Sequence, residues 1–564
     1  MTKQMGSMGD SIGERFLALA AAQPDRNWCT YFTGAESSQT VSYGDLRDRS
    51  LQFASAFGSS GVTRKRIAIC LYQSLDLHAA FLGAILSGHI PAMMPPFSPK
   101  TEPEKLQKTV QHFLDSMHPD EVVIDDDTMK SLQAASIKLA PGLNVISPAK
   151  VAASAVPPEP QRGGADVAFI QHSSGTTGLQ KGVALSHASV LGHHASYSLA
   201  IGLKTEQDSI VSWLPLYHDM GLISCFMVPL MAGISVVEIP TFLWAAKPGL
   251  LFDAITQHKP TLCWLPNFSY TFLAQSLQRS VARSKWELSS IRLWTNCSEP
   301  VTNQSQQTFL QAFEQIGCRP HSLGASYAMA ENVFAVTQSM HPADAVIEIS
   351  KDALSRHALA IPIDDQDARI LVSCGQPIEG VSIKIVEPGT DSLSSHAVGE
   401  IAIKSDFMFF GYWKNPAATA AAFTADGYFR TGDAGFIKDN NVFVTGRLKD
   451  IIIIQGKNFH AGDIEACLSG IEGVLPGRVV ALGLMDEGVG SERLAILAES
   501  NATDPEEKKQ ITDKIRLQIT SKLNVPASII RLMPPRWLIK STSGKLARKE
   551  NKQKLMTLIE AKHV

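Results

Sequence analysis

The stretch Ser173-Ser174-Gly175-Thr176-Thr177-Gly178-Leu179-Gln180-Lys181-Gly182 constrains this chain more than any other ten residues. It holds three glycines, four hydroxyl side chains and one lysine. Glycine permits positive φ and a close approach of backbone to ligand. Hydroxyls and successive backbone N–H groups form a nest of donors suited to an anion, and Lys181 adds a mobile positive charge. Val167-Ala168-Phe169-Ile170 before the loop reads as a buried strand. Val183-Ala184-Leu185-Ser186-His187 after it begins apolar and leads into helix-like sequence. The loop is not the nucleoside-triphosphatase P-loop, which needs Gly, four residues, then Gly-Lys-Ser/Thr. Here Lys181 comes three residues after Gly178 and is followed by Gly182. A nucleotide-phosphate cradle is the chemistry implied. The same composition also builds ordinary turns, so the rest of the chain has to decide.

Strands alternate with helices along the sequence. Arg66 to Leu71 reads as a strand, Leu75 to Leu86 as a buried helix, and Ile210 to Leu214 and Thr261 to Leu265 as strands stopped by Pro215 and Pro266. Apolar strands alternating with helices predict α/β layers around a largely parallel sheet. With 564 residues the chain is too long for one core and implies two or more domains. Thr445-Gly446-Arg447-Leu448-Lys449-Asp450 marks the expected boundary. Behind it a short strand (Ile451 to Ile454), a helix from about Asp463 and an amphipathic helix from Pro505 to Leu523 suffice for a small α+β domain. The net charge of −3 provides no basic face for nucleic acid. Eight scattered cysteines lack metal-ligand spacing, and the reading is free thiols in a reducing cytoplasm. No run of about 18 apolar residues exists, so no transmembrane helix is expected.

Several polar clusters follow the loop in order. Trp213-Leu214-Pro215-Leu216-Tyr217-His218-Asp219-Met220-Gly221-Leu222 places polar groups directly after a strand, where ligands bind in α/β folds. Trp294-Thr295-Asn296-Cys297-Ser298-Glu299-Pro300 is expected to do the same after Ile291-Arg292-Leu293. Ser326-Tyr327-Ala328-Met329-Ala330-Glu331 offers a ring for stacking and a carboxylate for a divalent cation. Asp433, in Tyr428-Phe429-Arg430-Thr431-Gly432-Asp433, suits a ribose diol. Gly446-Arg447 and Ser543-Gly544-Lys545 add two cations. Each piece alone has an ordinary reading as a cap, a solvated charge or a core histidine.

Together these motifs resemble the adenylate-forming superfamily of acyl-CoA synthetases, luciferase-like enzymes and nonribosomal peptide adenylation domains. The resemblance runs from about Phe16 to Lys552. Within it the chain is most similar to fatty acyl-AMP ligases. The motifs that carry this are Leu214 to Leu222, Pro266-Asn267-Phe268, Glu299-Pro300-Val301 and Thr445 to Ile453. An insertion between Glu331 and Gly375, which are separated by 43 residues, adds to the likeness; the tract Ala343 to Ile370 fits it, with Ala343, Val346, Ile347, Ile349, Leu354, Leu359, Ile361 and Ile363 as its expected apolar anchors. The resemblance implies a large N-terminal domain over residues 1–448, layered α/β with an associated β-barrel subdomain. It also implies a small mobile C-terminal α+β domain over residues 449–564.

The implied activity is ATP-dependent, Mg²⁺-assisted conversion of a fatty acid to acyl-adenylate and pyrophosphate. The acyl group then passes to the phosphopantetheine of an acyl carrier protein, or of a polyketide or nonribosomal peptide synthase carrier domain, in trans. By the same resemblance, Ser173, Ser174, Gly175, Thr176, Thr177, Gly178 and Lys181 hold the β- and γ-phosphates, and Glu331 holds Mg²⁺. Tyr327 stacks on adenine, with Asn296, Cys297, Ser298, Ala328 and Met329 around it. Asp433 and Arg447 take the ribose. Lys545 bridges carboxylate and α-phosphate, and His218 lies at the acyl site. Asp450 or Lys449 is the hinge. Tyr217, Met220, Phe268 and Met329 wall the acyl chain, and the insertion limits the domain rotation that coenzyme A ligation needs. The chain departs from the family pattern at Ala328, at Cys297-Ser298, and at His460-Ala461 where Tyr-Pro is usual; the last would lie where partner contacts form. A coenzyme A ligase and a catalytically silent homologue are the alternatives. Against the silent homologue, Lys181, Glu331, Asp433, Arg447 and Lys545 are all present.

Overall fold

The central strands of the largest sheet are short, fully buried runs, as a parallel sheet covered on both faces requires, while its edge strands are polar and partly exposed. In the computed structural model its nine strands lie in the order Gln376–Pro377, Ala335–Ser339, Leu323–Ala328, Leu293–Cys297, Leu262–Pro266, Ile210–Ser212, Val236–Glu238, Asn27–Phe32 and Ser38–Ser42. The pairings from Leu323–Ala328 across to Asn27–Phe32 are all parallel; those outside them are antiparallel. The structure describes all residues except 1–10, 59–62, 98–106, 108–109, 112–113, 116, 141, 153–162, 173–180, 341–345, 358–359, 362–367, 388–397, 455–456, 487–490, 524, 526, 541–544 and 561–564.

A second sheet, Ile90–Met93, Arg66–Cys70, Glu121–Ile124 and Asn144–Ile146, is parallel throughout. The helix Leu75–Leu86 is buried along nearly its whole length and starts at a Ser74 cap. Its Phe81 packs on Phe169 at 5.3 Å between ring centroids. The strand before the glycine-rich loop, Val167–His172, pairs antiparallel with Gly182–Ser186 after it. The loop therefore closes a hairpin, and the helix His187–Ala200 begins only after the second strand. Later in the large domain the chain forms a four-stranded antiparallel sheet of Val381–Val386, Gly399–Ser405, Phe429–Lys438 and Asn441–Arg447.

Beyond Arg447 come a two-stranded ribbon (Ile451–Ile454 with Lys457–His460) and a three-stranded sheet (Val479–Asp486, Ser491–Glu499, Ala527–Met533). The helices Ala461–Cys467, Pro505–Leu523 and Arg548–Glu560 accompany them. Ile511, Ile515 and Ile519 bury one stripe of the long helix against a hydrophobic cluster made only of residues beyond 450. The four-residue spacing of these isoleucines is the amphipathic signal seen in the sequence.

The inserted tract is ordered over most of its described length. Val346–Ser350 pairs antiparallel with Ala368–Val372, and the helix Lys351–His357 connects into it. Of the expected anchors, Ile347, Ile349 and Leu354 are buried with Leu371, Phe436 and Phe443. Val346 is exposed instead, because alternate strand residues point outward, and Ile361, outside any strand, is exposed too. Ala343, Leu359 and Ile363 lie outside the described residues. Among the described residues no helix is long and apolar enough to cross a membrane, and all eight cysteines are free.

Candidate active site

Parallel strands bring their carboxyl ends to one edge, and the segments leaving that edge carry most of the polar motifs. Ile210–Ser212 leads into Trp213 to Asp219, Leu262–Pro266 into Asn267, Leu293–Cys297 into Ser298, and Leu323–Ala328 into Glu331. The motif Trp294 to Cys297 lies within its strand rather than after it, since the strand starts at Leu293, two residues later than expected. As a result Asn296 and Cys297 are fully buried. Asn296 donates its side-chain amide to Asn267 Oδ1 at 2.9 Å, and burial pushes the Cys297 thiol up to about 12. These two residues buttress the crevice and do not line an open edge of it. Ser298, the next residue, turns into the left-handed region at φ 68°, which is uncommon for a residue with a Cβ.

Asp433 is held from two sides. Arg447, its register partner on the neighbouring strand, places Nε 3.0 Å from Oδ1. Tyr327 donates its hydroxyl to Oδ2 at 2.7 Å. A carboxylate offers about four acceptor sites, so this arrangement leaves capacity for a diol. Ala328 and Met329 continue from Tyr327 as half-buried residues.

Glu331 sits in the short turn Ala330–Asn332. Its backbone carbonyl accepts from Phe409 N at 2.8 Å, and its carboxyl accepts from the Tyr412 hydroxyl at 2.9 Å. Burial raises the carboxyl above its ordinary range, while the Tyr412 bond and Arg447 oppose that rise. Lys181 Nζ stands 4.2 Å from the centre of the same Tyr412 ring. Tyr412 thus connects the lysine after the glycine-rich loop to the acid. Ser173, Ser174, Gly175, Thr176, Thr177 and Gly178 lie outside the described residues.

Lys545 arrives from the far end of the chain. Burial raises the Asp219 carboxyl, and the Lys545 ammonium is the main influence lowering it again. His218, beside Asp219, is half-buried. The structure therefore gathers Lys181, Glu331, Tyr327, Asp433, Arg447, His218 and Lys545 from six separated segments. Among the described residues no three His, Cys, Asp or Glu side chains cluster as a metal site. Glu331 alone, raised by desolvation, suits Mg²⁺ that arrives on phosphate oxygens and keeps several waters.

A family profile described as AMP-binding enzyme matches residues 16–413. The chain belongs to this family. As an AMP-binding enzyme it has a curated relative in Moorena producens, the medium-chain-fatty-acid–acyl-carrier-protein ligase JamA. The two are 28% identical over 540 residues, covering 91% of this chain and 90% of the relative. A solved structure from work on fatty acyl-adenylate ligases of E. coli and L. pneumophila superposes with a TM-score of 0.88. It covers 98% of this chain and 99% of that one at 24% identity, which speaks for the fold. The fatty acyl-adenylate ligase of L. pneumophila solved with acyl adenylate and pyrophosphate is 28% identical, with a TM-score of 0.74 over 97% and 96% of the two chains.

Three features of this AMP-binding enzyme's site escaped sequence reasoning. Tyr412 belongs to no motif read in the sequence, and only the fold brings its short strand beside Glu331. Lys449, which flanks the expected hinge, is lowered by burial and by Arg447, and Lys181 acts in the same direction. Trp213 and Trp244 stack at 3.6 Å and 4°, with the half-exposed Phe268 at 6.3 Å from Trp213. Asp219 was visible inside its motif, next to His218.

The insertion touches the C-terminal region directly. Arg369 pairs with Asp463 at 2.9 Å and donates to the Thr445 carbonyl at 2.7 Å. His460, expected at a partner surface, is instead buried against Gly446 and is lowered to about 3 by burial and by Arg369. The two-stranded ribbon and Arg369 together enclose it.

Proposed function

We propose that this enzyme is a fatty acyl-AMP ligase that loads an acyl carrier protein. A fatty-acid carboxylate oxygen attacks the α-phosphorus of ATP, the bond to the bridging oxygen breaks, and pyrophosphate leaves. The thiol of a phosphopantetheine arm then attacks the acyl carbonyl, and AMP leaves with the former carboxylate oxygen. Two anions must meet in the first step, so positioning and preorganised positive charge supply the catalysis.

The residues of the crevice suit these roles. Tyr327 offers its ring to adenine while its hydroxyl holds Asp433. Asp433, paired with Arg447, takes the ribose diol. Lys181 and the loop Ser173 to Gly178 receive the β- and γ-phosphates, and Glu331 would hold Mg²⁺, which would neutralise phosphate charge. Lys545 neutralises charge between carboxylate and α-phosphate. The region after Lys449 turns as a unit about Asp450, whose carboxylate is paired with Arg548 at 2.8 Å. The carrier acceptor is supported by the named relatives and by one observation here. The Arg369–Asp463 pair ties the insertion to the C-terminal region and opposes the rotation that would present free coenzyme A.

The test incubates the enzyme with ATP, Mg²⁺ and a fatty-acid panel, with free coenzyme A or with a phosphopantetheinylated carrier protein, and resolves the products. Acyl-AMP and acylated carrier with little acyl-CoA is the expected result. Efficient acyl-CoA synthesis overturns the acceptor assignment.

A further inference from the structure

Behind the loop Trp213 to Asp219 lies a buried polar chain that the reaction above does not use. Gln73, just before the helix Leu75–Leu86, is its outermost member. Its Nε2 donates to the Leu214 carbonyl at 3.1 Å and to Glu238 Oε1 at 3.0 Å. Its Oε1 accepts from Thr241 N at 2.8 Å and Thr241 Oγ1 at 3.1 Å. One amide thus joins the ends of two neighbouring strands, Ile210–Ser212 and Val236–Glu238, to the first residue of the helix Thr241–Ala246.

The orientation of that amide is set from within. Glu238 is 3% exposed, and its other oxygen faces His78 Nε2 at 3.3 Å. Trp28 Nε1, a donor only, points at His78 Nδ1 from 3.3 Å, and the Tyr31 hydroxyl lies 2.6 Å from the same nitrogen. His78 Nδ1 thus faces the Trp28 donor, and Nε2 is the ring nitrogen turned toward Glu238. Glu238 has His78 against one oxygen and accepts from Gln73 at the other. An amide flip of Gln73 would set its oxygen against a carboxylate and a carbonyl, a repulsive arrangement.

What the clamp holds is a wall. Thr241 Oγ1 lies 2.8 Å from the Trp213 carbonyl, so its single proton is shared between that carbonyl and Gln73 Oε1, and Trp244 stacks on Trp213. Gln73 itself lines an apolar groove with Tyr72, Met93, Met94, Tyr217 and Phe242, and Tyr217 adjoins His218.

The geometry points to Gln73 as a positioning residue for acyl-chain binding, locked by Glu238 and His78, that fixes the helix Thr241–Ala246 against the loop Trp213 to Asp219. This rests on the ligase reading above for its substrate. Gln73→Ala should raise the KM for fatty acid about tenfold, the equivalent of about 1.4 kcal/mol, and leave the KM for ATP within about twofold. Gln73→Glu places a second carboxyl against Glu238, in a pocket also faced by His78, Cys29 and Tyr31. One shared proton restores the clamp, so this variant's fatty-acid KM should approach wild type on acidification and worsen as pH rises. The wild-type KM should not follow that trend.

Amide hydrogen exchange on the full chain supplies a readout independent of substrate. Gln73→Ala should speed exchange at Thr241 and through Ala246, with the strand Leu262–Pro266 unchanged. A wild type that makes no acyl-AMP from any fatty acid defeats the ligase reading while exchange still tests the clamp. Unchanged exchange at Thr241 overturns the clamp. An active wild type whose Gln73→Ala variant keeps its fatty-acid KM, or loses ATP and fatty-acid affinity equally, overturns the acyl-positioning role.

Discussion

Arg369, on the inserted strand Ala368–Val372, reaches Asp463 of the C-terminal helix Ala461–Cys467 at 2.9 Å. The same guanidinium donates to the Thr445 carbonyl just ahead of the expected hinge. It therefore spans the segment about which the C-terminal region would turn. The Arg369 side chain is 14% exposed and that of Asp463 41%, so the pair itself contributes only about 0.2–1 kcal/mol. Arg369→Ala should raise acyl-CoA output from free coenzyme A by up to about fivefold, with acyl-AMP formation unchanged. Deleting the insertion should raise it further. Product ratios with and without coenzyme A check both, and no rise in either variant removes the insertion from acceptor control.

Lys545→Ala should abolish adenylation with ATP affinity nearly intact. Lys545 influences Asp219 only because the C-terminal region is docked, so its charge acts where negative charge accumulates in the transition state. Losing one such donor costs about 10² to 10³ in rate. Pyrophosphate release gives the rate and equilibrium nucleotide binding gives the affinity. Near-normal acyl-AMP formation by the variant would refute the role.

Asp433→Ala should raise the KM for ATP more than that for fatty acid. The ribose hydroxyls do not change charge in the reaction, so their contacts appear mainly as binding. A hydrogen bond to a charged group is worth about 1.5–3 kcal/mol, and the expected rise is about ten- to a hundredfold. Asp433→Asn keeps the partner of Tyr327 and should show the smaller effect. A shift confined to the fatty-acid KM assigns Asp433 elsewhere.

Tyr412→Phe should move the acid limb of the adenylation pH profile upward. Glu331 must be ionised to bear Mg²⁺, and burial already raises its proton affinity, while the Tyr412 hydroxyl lowers it. Removing that hydroxyl leaves burial less opposed, so activity is lost at a higher pH on acidification. An unmoved limb would show that Glu331 does not govern it.

The segments whose meaning is local were readable without the fold. Leu75–Leu86 and Pro505–Leu523 match the helices seen in the sequence, because a Ser74 cap, apolar spacing and flanking breakers are short-range signals. Ile451–Ile454 is likewise a strand as expected. The motifs around His218, Tyr327, Glu331, Asp433, Arg447 and Lys545 already named the chemistry, since phosphate, ribose and carboxylate each demand a side chain of suitable charge.

Only the tertiary structure decided which of those side chains face one another. Asn296 and Cys297 looked like lining residues, yet a strand that starts at Leu293 carries them into the interior. Val346 looked like an anchor, but the pairing register turns its neighbours Ile347 and Ile349 inward instead. Tyr412 and Gln73 carry no motif at all. Their importance comes from contacts with Glu331, 81 positions away, and with Glu238, 165 positions away. Sequence carries composition and short-range periodicity. Which donor meets which acceptor across such separations is set by strand order and register, which are properties of the packed sheet rather than of any one of its strands.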